Sequence, residues 1–412
     1  MIYKRILSFF NHFNLITNSQ FGFSEGKSIN DAALSFLYDV YSNSIANSET
    51  VAVVIDFKRA FDTVSHPLLL EKLYRYGVRG GTNSLIASYL KERYLYVQIG
   101  NSKSEMKSLK YGVPQRSCLG PLFFLIYIND VVNLKLNSKC LLYADDLILY
   151  TSGTNQKTLE YQMNNDLNVL SHHTVSHKSC INELKTQFIV FNKNKTSHYV
   201  LKVNGNPIEE AEEIKYLGVI IYCKLRFKTH THNVVSKLNN SNRVIASLRD
   251  QLPRFILRKI YFSVGYSHVN MHVLVWGGAQ LTHINPIRIA LNKIIRNIFF
   301  MSMYFYINTI TTYKTLNILT FDANYNMRLC EFMYRERNDE KVILQDFLSV
   351  YSWSHGHGTQ RSDEYMVPNT RLKSYESFFI YRAIVLWNSL SAPCKAAGSL
   401  GALRSLLGEE FM

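Results

Sequence analysis

From Thr50 to Tyr222 short apolar runs alternate with helical periodicities, which predicts a mixed unit of strands and helices. Val51–Asp56 (VAVVID) is β-branched and reads as a buried strand ending in a carboxylate. Ser65–Gly77 predicts a helix signed at both ends, with Ser65 as cap, Pro67 in the first turn and Gly77 as stop. Asn83–Arg93 predicts a second helix, and YLYVQIG and MKSLKYGV, flanking GNSKSE, predict a hairpin. Leu119–Val131 reads as an apolar helix. In CLLYADDLILY apolar runs stand on both sides of Asp145 and Asp146, which predicts a hairpin with the two carboxylates at its tip. Leu159, Met163, Leu167 and Leu170 recur at helical spacing. Asn204–Gly205 marks a further hairpin, and KYLGVIIY a strand pair or a bent strand.

After about Tyr222 the pattern turns helical, with apolar positions at Val234, Leu238, Ile245 and Leu248, then Ile256, Ile260 and Val264. No Pro/Gly linker precedes this part, so a docked subdomain is expected. Beyond Phe300 the chain reads as largely helical with aromatic anchors, and Ser354–Arg361 as a loop.

Charge then narrows the class of partner. The 412 residues carry a net charge of +15, which favours nucleic acid or an acidic membrane surface. Between Tyr222 and Phe300 stand twelve Lys or Arg against one acid, Asp250. A solvated helical face is the ordinary account of a charge run, but here self-repulsion is uncompensated, and a phosphate backbone is the better reading. No apolar run reaches the about 18–20 residues a membrane span needs. The apolar stretch after Lys4 and Arg5 is broken at Asn11 and His12 and is not read as a signal peptide. The six cysteines form no CxxC pair, consistent with reduced thiols and an intracellular chain. The cluster His172, His173, His177, Cys180 lacks the paired spacing of zinc modules and is not read as a metal site.

Phosphoryl transfer asks a protein to align phosphates and neutralise their charge, usually with two Mg²⁺ ions about 3.5–4 Å apart held by carboxylates on rigid elements. Asp56, Asp145 and Asp146 are such a set if their strands share a sheet. Each alone has a plainer reading, a strand cap or a turn.

At these residues a family resemblance appears. Tyr143-Ala144-Asp145-Asp146 resembles the catalytic hairpin of reverse transcriptases, and the chain is similar to the polymerase of non-LTR retrotransposons of the jockey type. Gln20–Leu34 resembles the fingers motif, Val51–Leu73 and Gly112–Val131 the first two palm motifs, Ile181–Phe191 and Ile214–Leu225 the fourth and fifth, Leu252–Gly277 the thumb, and Phe378–Leu390 the C-terminal helical tail. The resemblance implies an α+β fold: a right-hand polymerase palm with partial fingers, followed by a helical thumb and a helical C-terminal region. The expected divisions are 1–50 partial fingers, 51–222 palm, 223–300 basic helical thumb and 301–412 helical C-terminal region.

The resemblance also implies roles. Asp56 and Asp145 ligate two Mg²⁺ ions, for which Mn²⁺ can substitute, with the Phe57 carbonyl helping one; Asp146 is a secondary ligand or an orienter. Phe61 is the steric gate selecting dNTPs, an ordinary core ring being the alternative. Gln115 touches the incoming nucleotide and the template strand, and Lys185 neutralises or protonates the leaving pyrophosphate unless it is a plain surface lysine. Tyr143 and the primer grip Tyr216-Leu217-Gly218 face primer and template, and Arg254, Arg258 and Lys259 track the RNA–DNA duplex. The implied partners are an RNA template, a DNA primer and a dNTP, in cytoplasm and nucleus as a ribonucleoprotein, with no membrane. The sequence departs from the family where Gln-Gly-Ser is replaced by Gln115-Arg116-Ser117, where Ser24 replaces a basic residue, and where Tyr222 stands in place of a frequent Asp. It begins after the family's upstream fingers segment, which reads as N-terminal truncation, without the endonuclease, zinc knuckles or RNase H region. The expectation is RNA-directed DNA polymerase chemistry, weak or absent in this copy; the alternatives are a catalytically dead nucleic-acid-binding remnant and, less favoured because a basic thumb has no use there, a nucleotidyl cyclase.

Overall fold

The computed structural model describes residues 1–114, 116–194, 196–300, 309–338, 344, 364–367, 376 and 378–411. Ser354–Arg361, read above as a loop, lies outside the described residues, as does Gln115. The chain forms two compact units, one of Met1–Ala32 and Ala46–Leu217, the other of Ala33–Ile45 and Gly218–Met412.

The first unit is built on a five-stranded sheet. Its strands are β1 (Glu49–Ile55), β2 (Lys139–Tyr143), β3 (Asp146–Gly153), β4 (Gln187–Phe191) and β5 (Glu209–Glu210), in the order β5-β4-β1-β3-β2. β1 is the middle strand, antiparallel to both β3 and β4. Its central place explains its β-branched composition: a strand covered on both faces reads as a continuous apolar run. The register aligns Ile55 with Leu147 and Tyr143 with Asp146, so the end of β1 and the β2–β3 turn lie at one edge of the sheet.

Helices are interleaved with these strands along the chain. They are α1 (Ile2–His12), α2 (Ile29–Ile45, which runs from the first unit into the second), α3 (His66–Arg75), α4 (Gly80–Leu90), α5 (Gly120–Ile128) and α6 (Gln156–Ser176). Leu159, Met163, Leu167 and Leu170, predicted from their spacing, are the buried stripe of α6. Asn155 caps that helix by accepting from the Thr158 amide at 3.2 Å. α5 is buried on nearly every side, as its unbroken apolar sequence requires. The hairpins expected around GNSKSE and Asn204–Gly205 both form.

The second unit is helical, with α7 (Lys228–Leu248), α8 (Arg254–Tyr261), α9 (Leu281–Ile298), α10 (Phe321–Asn338), α11 (Phe379–Ser389) and α12 (Leu400–Phe411) among its elements. Trp276 and Trp387 are fully buried, and Tyr41 of α2 stacks on Phe378 at 3.8 Å. Asn388, beside Trp387, exchanges two hydrogen bonds with the Tyr365 backbone at 2.8 and 2.9 Å. The face predicted for α8 needs correction. Leu257 and Tyr261 are its buried residues, Ile256 and Ile260 are only half-buried, and Val264 is exposed. A single π turn at Phe262–Tyr266 shifts the helical phase there, and the Ser241 hydroxyl donates to the Val264 carbonyl at 2.6 Å.

Candidate active site at the sheet edge

Asp56 leaves β1 and is held from one side by Asn182. The Asn182 amide N–H donates to the Asp56 carbonyl at 2.7 Å, and its Nδ2 donates to Asp56 Oδ2 at 2.9 Å. Phe57 pairs with Ile181 in an antiparallel bridge whose hydrogen bonds join the flanking residues, so the Phe57 carbonyl is left out of them. Lys185 Nζ stands 3.9 Å from Asp56 Oδ2, at the solvent side.

Asp145 and Asp146 sit at the β2–β3 tip as predicted. The turn is tight: Ala144 has φ +57°, a conformation that costs an L-residue about 1–2 kcal/mol outside glycine. Gln20 holds it there. Buried and 124 residues away in sequence from Ala144, Gln20 accepts from the Ala144 amide at 3.0 Å and from the Gly22 amide at 2.8 Å through the same Oε1. Phe21 N–H donates to the Leu142 carbonyl at 2.8 Å and Leu142 N–H to Ser19 at 2.9 Å, so segment 19–22 runs alongside β2. A Cβ on Gly22 would lie 2.4 Å from the Ala144 amide nitrogen. Glycine is needed there for that close backbone approach.

The three carboxylates feel one another. Burial first, then the Asp56 charge, pushes the Asp145 carboxyl up, against a hydrogen bond from its own backbone. Burial, then Asp145 and Asp56, push Asp146 up to about 6. Buried Tyr216 is also near: burial and then the Asp146 charge raise its phenol. The aspartates do not close to single-ion spacing, and among the described residues the group of three ligands all within 4.8 Å is Asp130, His173 and His177. Two ions about 3.5–4 Å apart need a wider carboxylate set than one ion does. An all-oxygen donor set in which like charges already oppose one another suits a hard divalent cation such as Mg²⁺.

Phe61 packs on Phe124 with ring centroids 4.5 Å apart and planes at 27°, and its carbonyl accepts from Val113 N–H at 2.9 Å. Arg116 is exposed and has φ +59°. Ser117 Oγ donates to the Pro114 carbonyl at 2.7 Å and accepts from Gly120 N–H at 2.9 Å, fixing the entry to α5. Tyr143 is half-buried. Leu217 and Gly218 have φ +49° and +90°, both positive as a type I′ turn requires.

The basic stretch is more occupied than its sequence suggests. Arg258 donates to the Leu316 and Asn317 carbonyls at 2.6 and 2.8 Å, and Arg288 pairs with Asp322 at 2.5 Å. Arg254 lies over the Phe299 ring at 4.5 Å, and Lys259 is exposed. Arg258 is therefore committed within the protein, whereas Lys259 faces solvent. Sequence reasoning missed two supporting residues, Gln20 and Asn182. Both lie inside motif segments already singled out, which was the available signal.

A sheet edge carrying three mutually repelling aspartates on an antiparallel hairpin and its neighbouring strand defines a palm of the polymerase class. The family model of the reverse transcriptase (RNA-dependent DNA polymerase) matches residues 1–221, and the chain belongs to that family. It is 28% identical over 255 residues to the RNA-directed DNA polymerase from mobile element jockey of Drosophila funebris, covering 59% of this chain and 28% of that protein. With the probable RNA-directed DNA polymerase from transposon BS of Drosophila melanogaster it shares 23% identity over 366 residues, 84% of this chain and 39% of that protein. The resemblance to jockey-type polymerases is thus borne out, and the chain spans well under half the length of these relatives. Among solved structures it is similar to apo telomerase from Candida Tropicalis, with TM-score 0.43 and 12% identity over 78% of this chain and 54% of that one. No helix among the described residues is long and apolar enough to cross a membrane.

Proposed function

We propose that this chain carries out RNA-directed DNA synthesis, joining a primer 3′-hydroxyl to the α-phosphate of a dNTP on an RNA template. The observation that carries this reading is the convergence of Asp56, Asp145 and Asp146, with Asp145 and Asp146 raised by burial first and then by their neighbours' charge. Asp56 and Asp145 would hold two Mg²⁺ ions, with the Phe57 carbonyl and Asp146 as further ligands. Such ions, when bound, neutralise phosphate charge and favour ionisation of the attacking hydroxyl. The new bond joins O3′ to the α-phosphorus, the bond from that phosphorus to the β-phosphate bridge breaks, and pyrophosphate leaves.

The protein's own part is alignment. Asn182 orients the Asp56 carboxylate through its Oδ2. Lys185, an ammonium 3.9 Å from that oxygen, would offset charge on the departing pyrophosphate. Phe61, braced by Phe124, would leave no room for a 2′-hydroxyl. Gln115 and Tyr143 would contact nucleotide and template, Tyr216-Leu217-Gly218 the primer end, and Arg254 and Lys259 the duplex phosphates.

A second reading, a nucleic-acid-binding remnant without polymerase activity, is favoured by Arg116, a long cation on left-handed backbone where the family carries glycine. Primer extension on poly(rA)/oligo(dT) with Mg²⁺ separates the two, run in an Arg116→Gly background. Asp145→Asn is expected to abolish extension there, because removal of a ligand charge breaks the two-ion geometry. Extension surviving that change would sink the site assignment.

A further inference from the structure

His173 and His177, four residues apart on the end of α6 and just past it, present their Nε2 atoms to Asp130, which follows α5. His177 Nε2 lies 3.4 Å from Asp130 Oδ2, and His173 Nε2 lies 3.7 Å from Asp130 Oδ1. Ligands at 2.0–2.1 Å around a tetrahedral zinc are separated by about 3.3 Å; His177 Nε2 and Asp130 Oδ2 stand near that spacing, and one ligand atom from each of the three residues lies within 4.8 Å of the others. A second observation is independent of spacing. His177 Nδ1 lies 2.8 Å from the His173 carbonyl, which can only accept, so the hydrogen sits on Nδ1. With Nδ1 engaged there, Nε2, the atom that faces Asp130, is the one placed to ligate a metal ion. A backbone carbonyl on the far nitrogen of a histidine is also the usual arrangement behind a metal ligand.

The surroundings fit one small ion. Lys72 donates to Asp130 Oδ1 at 2.7 Å, which leaves Oδ2 as the available donor. Phe57, Ala60, Phe124, Tyr127, His173 and His177 border a cavity of about 20 Å³, room for a single water as fourth ligand. His172 and Cys180, which the sequence grouped with these histidines, are exposed and not part of the set.

We propose that Asp130, His173 and His177 bind one zinc ion, which ties the end of α6 to the turn after α5. The ion braces the loop at Phe57 and Ala60 that follows Asp56, and mixed nitrogen and oxygen donors select zinc or cobalt over magnesium.

The test uses the full chain, stripped with a chelator and titrated with Co²⁺ while visible absorption is recorded. One equivalent should bind with the intense bands of a four-coordinate site. Zn²⁺ should displace it and a hundredfold excess of Mg²⁺ should not. His173→Gln and His177→Gln should each weaken Co²⁺ binding at least about a hundredfold, beyond the ten- to hundredfold typical of outer partners, while His172→Gln leaves it unchanged. Should the variants misfold, X-ray absorption of the zinc-loaded wild type decides: imidazole nitrogens with oxygens support the site, and sulfur in the shell overturns it. Failure to retain an equivalent, displacement by Mg²⁺, or unaltered affinity in both histidine variants would also overturn it.

Discussion

Replacing Arg116 by glycine separates two ways in which this residue can hinder synthesis. Its φ of +59° lies in the left-handed region, which costs a residue with a Cβ about 1–2 kcal/mol. Glycine removes that strain but surrenders about 0.5–1 kcal/mol to the greater freedom of the unfolded chain. Arg116→Gly is therefore expected to be stabilising by about 0–1.5 kcal/mol, read as a Tm gain of a few degrees at most. Arg116→Ala deletes the cation but keeps the Cβ, and so keeps the strain. The functional assay is single-turnover dTTP incorporation on poly(rA)/oligo(dT) with Mg²⁺. Wild type should extend weakly or not at all and glycine best, because it frees both the space and the backbone beside the nascent pair. Each kcal/mol recovered in the transition state raises the rate about fivefold. Alanine should match glycine if the side chain alone obstructs, and wild type if the backbone alone does. Wild type extending as fast as Arg116→Gly would refute the obstruction argument.

Gly22→Ala should destabilise the chain by about 1–3 kcal/mol and disable the Asp145–Asp146 turn, since the added methyl meets backbone at 2.4 Å; thermal unfolding and primer extension both read this. His230 is buried, and burial, then His272 and Lys237, lower its pKa to about 4. The unfolded chain takes the proton first, so stability is intact above about pH 6.5 and falls as pH drops toward 4, by about 3 kcal/mol in full. Urea midpoints between pH 4 and 7 should show that slope and His230→Gln should flatten it. Affinity for an RNA–DNA duplex should fall steeply with salt, and Lys259→Ala should reduce the slope by about one. Filter binding across a salt series tests this, with an unchanged slope counting against the contact.

Much of the first unit was legible in the chain. The β-branched run of β1 and the helical stripe of α6 announce themselves because burial imposes a period of two or 3.6 on neighbouring residues. The tip at Asp145 and Asp146 was legible for the same reason, flanked by apolar runs on both sides. What only the tertiary structure decided is which distant residues meet. Gln20 locks the Ala144 turn, Asn182 grips Asp56, and Asp130 joins His173 and His177 in place of His172 and Cys180. Arg258 turns inward to two carbonyls, and one π turn re-aims the α8 face. Periodicity reports how a residue faces its own element. Strand order and helix phase determine which partners lie across the gap, and no local pattern encodes them.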